Sequence, residues 1–515
     1  MYRIMSSSKD TYITNKVIDN SFTASDANVG KAGTLDLFKL YNESKLPGVT
    51  NVTELSRGLI KFDLNPLRKQ MNTDLNISDS SFQCQIKLHD VYGGQTTPSN
   101  FKMIVFPLAQ SFNEGTGRDI VRYSDLGSAN YITASVSNGV DTLWNTAGAM
   151  KSGTLGDTDI DVIVSGNLSD GEGLRALCVE QLFTNGTEDL LVDVTHVVSG
   201  MLANQISDNG FLVAYSGSFE TNQKTYFVKR FASRDVSDTS ARPKLIVKYN
   251  DAIMDNHQNF IFNTTGSIFL NNFVKGHYSN IVGPDGSELT GHNCMTLTLT
   301  SGSTPFSKSI AVSQFSYSSA EPFITGVYSA SFAISEYETL LREEIVNAAS
   351  ATFVETWGTN DDSAGFYTGS LVVNASERTG FFNTPDRILV TITNLQSSYS
   401  NDEKIKLRIY AEDRDRPIKA LKLPYESPSN IYNQMHFRVR DFDSGDIVIP
   451  FDTLSNSTKL STDSQGMFFN FYTESLPTGR PYVFEFLVKN DGFDQVLTNV
   501  AAKFIIEDKL SNYKS

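Results

Sequence analysis

FASRDVSDTSARPKLIVKY, Phe231 to Tyr249, sets Arg234 and Asp235 side by side, adds Arg242, and then alternates. Over its last residues Leu245, Val247 and Tyr249 fall on one side of an extended chain, and Lys244, Ile246 and Lys248 on the other. Alternation with period two marks a strand with one face on a core. The charges ahead of it read as a buried or half-buried ion pair that fixes the register of the strand beginning at Pro243. Such a pair specifies geometry more than it adds stability. On this reading the stretch fastens the closing strand of a β domain and carries no chemistry.

The same period runs through the chain. RGLIKFDL places Ile60, Phe62 and Leu64 opposite Lys61 and Asp63. FQCQIKLHD places Phe82, Cys84, Ile86 and Leu88 opposite Gln83, Gln85, Lys87 and His89. KIKLRIY sets Ile405, Leu407 and Ile409 against Lys404, Lys406 and Arg408, and QMHFRVR sets Met435, Phe437 and Val439 against His436, Arg438 and Arg440. Ser, Asn, Asp and Gly fill the intervals. Many short strands joined by such turns predict a mainly β protein of antiparallel sandwiches with few short helices. The clearest helix signal is SEYETLLREEIVNAA, expected near 336–349, with Ser335 and Glu338 as a capping box and Leu341, Ile345 and Ala348 on one face. In DVTHVVSGMLANQI, Thr195 is the expected cap, with Val198, Met201, Leu202 and Ile206 facing inward.

Polar breaks at NDAIMDNHQN and at NASERTGFFNT divide the chain into three: 1–250, jelly-roll-like; 251–376, a smaller sandwich with the helix; and 377–515, a C-terminal sandwich. A length of 515 residues fits that count. With 43 basic and 58 acidic residues the net charge is −15, which repels phosphate backbones and argues against nucleic-acid binding. No apolar run approaches the length of a membrane span, and the opening MYRIMSSSKDTYITNK lacks a signal-peptide core. Three scattered cysteines, Cys84, Cys178 and Cys294, do not make a disulfide framework and fit assembly in a reducing cytoplasm.

The first 250 residues resemble the carbohydrate-binding-module-like β-sandwich called the DNRLRE domain. The landmarks are SKDTYITN, RGLIKFDL, QIKLHDV, SFNEGTGRD, TLWNTAG, LLVDVTHVVSGML, NGFLVAY and FASRD…RPKLIVKY, in that order. The insertion LYNESKLPGVTNVTEL departs from the pattern. The remainder resembles virion structural proteins of tailed phages, especially contractile-tailed phages of cyanobacteria. That likeness rests on ITGVYSASFAI (Ile324–Ile334), ATFVETWGTNDDSAGFYTGSLVV (Ala351–Val373) and IVIPFDTLSNSTKLSTDSQGMFFNF (Ile447–Phe471). It implies a non-enzymatic virion component at neck, tail or baseplate, assembled in the host cytoplasm and released by lysis. Its expected partners are other virion proteins and further copies of itself. The alternative it leaves open is a glycan-binding adhesin facing the host surface.

Candidate sites are few. Calcium is the one cofactor with candidate ligands. DTDIDV spaces Asp157, Asp159 and Asp161 like the start of an EF-hand loop, although Val162 stands where the turn glycine belongs. RDFDSGD offers Asp441, Asp443 and Asp446 around Gly445. His292 and Cys294 form one ligand pair, short of a zinc site. Glu355, Asp361 and Asp362 are carboxylates of the kind glycoside hydrolysis uses, but nothing sets two of them across a groove. No P-loop or nucleophile elbow is present, so no catalytic residue is assigned. Trp144, in a loop of a carbohydrate-module-like fold, is the candidate for stacking on a sugar, against the alternative that it packs beneath its loop. Trp357 reads as a core plug.

Overall fold

Alternating and continuous apolar runs both become strands in the computed structural model. It describes the chain except residues 72–74, 125, 127, 170, 303–304, 318–322, 376–386, 415–428, 475, 491–492, 499–501 and 509–515. The protein is mainly β, built from antiparallel sandwich sheets with a few short helices. Two compact units divide it: Arg3–Arg68 with Phe82–Lys248, and Met1–Tyr2, Lys69–Ser81 and Tyr249–Ser515. The expected boundary at 376 lies outside the described residues.

The N-terminal unit is built on a ten-stranded sheet. Its main path runs Val179–Phe183, Phe101–Pro107, Phe211–Tyr215, Thr53–Phe62, Tyr2–Thr14, Lys244–Lys248, Gln83–Leu88, Leu190–Asp193. The end strands meet: the Gln181 amide donates to Asp189 O at 2.7 Å and accepts from Leu191 N–H at 2.6 Å. The sheet therefore curls on itself and leaves little open edge. Inside lies an aromatic core, with Phe101 stacked on Phe183 at 5.0 Å and Tyr215 on Tyr226 at 5.5 Å. A second core covers the outer face. Leu59, Ile104 and Leu212 point away from the aromatics and meet Phe112, Ala134, Trp144 and Val162 from the stretch between the Phe101–Pro107 and Val179–Phe183 strands.

RGLIKFDL keeps the expected faces, with Ile60, Phe62 and Leu64 buried, Lys61 half-buried and Asp63 exposed, and the double cover extends burial back along its strand. Leu55 to Ile60 are all buried, and the strand ends at Phe62, before Leu64. FQCQIKLHD alternates as expected: Phe82, Cys84, Ile86 and Leu88 are buried and their neighbours half-buried. The DVTHVVSGML helix is present as Thr195–Leu202, but Thr195 is not its cap. The Thr195 hydroxyl instead accepts the Cys84 N–H at 2.9 Å, tying helix to strand.

The opening ion pair also needs correction. Arg234 and Asp235 do not pair with each other. The Arg234 guanidinium meets both oxygens of Glu114 at 3.0 Å, and the Arg234 backbone N–H donates to Asp10 at 2.8 Å. Asp235 pairs with Lys31 at 3.3 Å. The strand that follows, Lys244–Lys248, lies between the Tyr2–Thr14 and Gln83–Leu88 strands rather than at an edge. Asp10 is buried, and burial pushes its carboxyl up to about 7.

The second unit holds two sandwiches. The first is a seven-stranded sheet whose end strands, Phe260–Ile261 and Gly266–Asn271, are consecutive in sequence. Its core gathers Leu297, Leu299, Tyr328, Phe353 and Trp357, with Phe260 stacked on Phe332 at 4.7 Å. The helix expected near 336–349 is shorter: a 3₁₀ turn at Thr339–Leu341 leads into Arg342–Ala348. No Ser335–Glu338 box forms, because the Ser335 hydroxyl accepts from Tyr337 N–H at 3.1 Å. The second sandwich faces a four-stranded sheet against a six-stranded one. Phe437 stacks on Phe469 at 4.4 Å and Phe484 on Phe504 at 4.7 Å, so aromatic rings fill the space between layers. His436, expected on the polar face of its strand, is buried, and burial with Lys459 and Lys489 nearby holds its pKa down to about 4. Among the described residues no helix is long and apolar enough to cross a membrane.

Candidate functional site

The polar face of KIKLRIY borders a cavity, with Lys404 and Lys406 exposed and Arg408 half-buried. Lys404, Lys406 and Arg408, on the Lys404–Asp413 strand, line one wall of a cavity of about 730 Å³ within the second unit. Successive side chains on one strand face stand roughly 6.5–7 Å apart, so the three cations form a ladder. Asp463, on the Ser461–Asp463 strand one beyond the intervening Gly466–Tyr472 strand, meets Lys406 at 3.1 Å and Arg408 at 2.5 Å. Below them lies the Phe468 ring, 3.8 Å from the Lys406 ammonium and 5.3 Å from the Arg408 guanidinium. Burial lowers the Lys406 pKa against the pull of Asp463.

The facing wall is aromatic and amide-bearing: Phe269, Asn271, Phe273, Tyr278 and Tyr317. Phe273 and Tyr278 stand on a hairpin, their rings 4.4 Å apart, and are 54% and 44% exposed. The floor is the segment around Ile253 and Asp255, which runs beside Thr462: Thr462 N–H donates to Ile253 O at 2.8 Å and its hydroxyl to Asp255 O at 2.9 Å.

Asp255 opens onto a second feature. His257 Nδ1 sits 2.5 Å from Asp255 Oδ1, and Nε2 lies 3.1 and 3.0 Å from the two oxygens of Glu355. All three side chains are buried or nearly so. Burial opposes a charged ring, but hydrogen bonds to Asp255 and Glu355 and their charges outweigh it and raise the His257 pKa to about 10. An imidazolium held between two carboxylates is a lock and not a general base, since it cannot give up its proton near neutral pH. Gly369 makes room for it: a Cβ there would meet Glu355 Oε1 at 2.4 Å. The 98 residues separating His257 from Glu355 hide this contact from any local motif.

The sequence candidates fall elsewhere. Asp161 is fully buried, and its carboxylate accepts from Gln110 Nε2 (2.9 Å) and from the N–H groups of Asn145 (2.7 Å), Thr146 (3.0 Å) and Lys151 (2.9 Å). Asp157 caps Thr154 N–H at 2.7 Å, and Asp159 is exposed at φ +56°, so the three do not converge. Asp441 is buried at the mouth of a hairpin, accepting from the N–H groups of Asp443 and Ser444 at 3.0 Å, while Asp443 and Asp446 are exposed. Among the described residues no group of three His, Cys, Asp or Glu side chains is placed to hold a metal ion. Asp361 and Asp362 sit in a turn, where Asp361 binds Ser363, and neither faces Glu355 across a groove. Trp144 is 4% exposed and donates its Nε1–H to Asn130 O at 2.9 Å, so no ring face is open to a sugar. Asp161→Ala leaves those donors unpaired in the interior. Its expected cost is on the order of 3 kcal/mol, read by urea denaturation; a loss below 1 kcal/mol would mean the loop is not held by this carboxylate.

No protein-family model and no curated protein matches the chain. Solved structures to which it is similar include the FN1–FN3 domains of chicken CNTN1, at 10% identity over 48% of this chain and 64% of that one, TM-score 0.15. Others are the D00–D0 domain of intimin (10% identity, 48% and 95% covered, TM-score 0.14) and the four N-terminal Ig domains of Dscam1 isoform 4.4 (8%, 47% and 40%, 0.13). The chain spans less than two thirds of the first and third of these. At such scores the likeness carries no argument about what the chain does.

Proposed function

We propose that this chain is a non-enzymatic structural component of a tailed-bacteriophage virion, at neck, tail or baseplate, working through contacts with other virion proteins. The observation that carries the reading is one face of the seven-stranded sheet. Strand pairing aligns Thr296, Thr298 and Thr300 with Ser307, Ser309 and Ala311 on one side and with Thr356 and Val354 on the other. The next strand continues the face with Thr368, Ser370 and Val372. These positions are exposed or half-buried, and none is charged, in a chain with 101 charged residues (43 + 58).

A flat face of this kind suits burial against a partner. No ion must be desolvated, and β-branched threonine and valine have little rotamer freedom to lose. Much of the face comes from Ala351–Val373, one of the stretches that resembles phage virion proteins. The strongly placed charges near it, His257 and Glu355, are spent inside the fold.

Immunogold electron microscopy of purified phage particles, with an antibody against this chain, tests the proposal. Label at one discrete place is expected. Absence of label from intact and from mildly opened particles would remove the reading. Val354→Lys with Thr368→Lys should leave folding within about 0.5 kcal/mol of the parent. The same pair should abolish incorporation into particles, scored by immunoblot of purified virions; normal incorporation would move the contact elsewhere.

A further inference from the structure

We propose that the cavity between the Lys404–Arg408 wall and the Phe273–Tyr278 hairpin binds an acidic saccharide, one carrying carboxylate or sulfate groups. The inference stands apart from the assembly reading, since a virion protein and a protein elsewhere have equal use for such a site. Its size, about 730 Å³, is within the range that holds a small ligand.

The argument rests on what the two walls offer together. Sugars present flat C–H faces and a rim of hydroxyls. Exposed aromatic rings take the first, and planar amides and charged groups take the second. Phe273 and Tyr278 are open to solvent at the rim, where water contact with apolar ring surface is unfavourable. Asn271, Gln465 and Asn470 line the same space.

Charge selects the acidic class. Of the carboxylates in the lining, Asp255 is engaged by His257, and Asp251 by the amino group of Met1. Among the described lining residues Asp463 is the carboxylate at the basic wall, and Lys406 and Arg408 share it. That wall is therefore a cationic strip in a chain of net charge −15. A guanidinium and ammonium groups spaced along a strand fit anions repeated along a polymer. The strip also lies over the Phe468 ring, which holds the cations in place before a ligand arrives.

Affinity electrophoresis of the full chain in gels containing alginate, dextran sulfate or neutral dextran tests the proposal. Retardation by alginate or dextran sulfate, and none by dextran, is expected. Retardation by alginate alone assigns uronate recognition; by dextran sulfate alone, sulfate recognition. Lys406→Gln should weaken binding about tenfold. Phe273→Ala, at a half-exposed position where folding is not at stake, should weaken it about fivefold. No retardation by either polyanion overturns the proposal. So does equal retardation by neutral dextran, or polyanion retardation that Phe273→Ala and Lys406→Gln leave unchanged, which would be plain ion exchange on another surface.

Discussion

Replacing His257 with Gln should destabilise the second unit by about 3–5 kcal/mol, the cost of leaving buried carboxylates without their cation. Asp255 and Glu355 are 3% and 2% exposed at their side chains, and His257 bridges them through both ring nitrogens. Gln keeps a donor but has no charge. The effect has a pH signature of definite sign. The folded pKa of His257 is raised from 6.5 to about 10. A raised folded pKa contributes stability that is whole below about 6.5 and is lost as pH rises through about 10. Melting of the parent should therefore fall between pH 7 and 10 by more than melting of His257→Gln. Thermal melts across that range decide it; parallel curves would show that the imidazolium is not what holds the pair together.

Arg57→Ala should be nearly as damaging in the N-terminal unit, again about 3–5 kcal/mol. Arg57 lies on the Thr53–Phe62 strand, with a side chain 7% exposed. Its Nε and Nη2 donate to the two oxygens of Glu220 at 2.8 and 2.6 Å, and Nη1 donates to the carbonyls of Gly148 and Ala149 at 2.8 and 3.1 Å. One guanidinium thus joins the central strand to the loop after Trp144 and to the turn at Glu220. Lys cannot reproduce that fork, so Arg57→Lys should recover less than half of the loss. Glu220→Ala added to Arg57→Ala should cost little more than Arg57→Ala alone, because the two share one interaction. Urea denaturation gives the free energies, and faster hydrogen exchange along residues 53–62 gives the location. A loss under 1 kcal/mol would show that the fork is dispensable.

Fold class was legible in the sequence because one-sided burial leaves a period of two, as at Phe82, Cys84, Ile86 and Leu88. The continuous burial at 55–60 was not, because its cause lies far away: residues such as Phe112 and Val162 roof the outer face. Cap assignments failed at Thr195 and Ser335 since each hydroxyl had a nearer or better-aimed donor. The aspartates of DTDIDV looked like metal ligands because a carboxylate that accepts backbone N–H groups and one that holds a cation share the same residue type. Only the positions of Gln110, Asn145, Thr146 and Lys151 separate the two uses. The wall at Lys404, Lys406 and Arg408 was visible as one face of a strand, but not what stands opposite it. The 253–258 segment and the 273–278 hairpin come to it from more than a hundred residues upstream.

The place of the Lys244–Lys248 strand sets a timetable for synthesis. It pairs directly with Gln83–Leu88 and separates that strand from Tyr2–Thr14, so the first strand made waits for the last strand of its sheet. At the usual pace of translation that wait is roughly 10–50 seconds. Throughout it, one side of the Tyr2–Thr14 strand has no native neighbour on the ribosome. A nascent chain in this state is open to pairing with another nascent chain on the same messenger, and a holding chaperone at the tunnel mouth would raise the yield of folded protein.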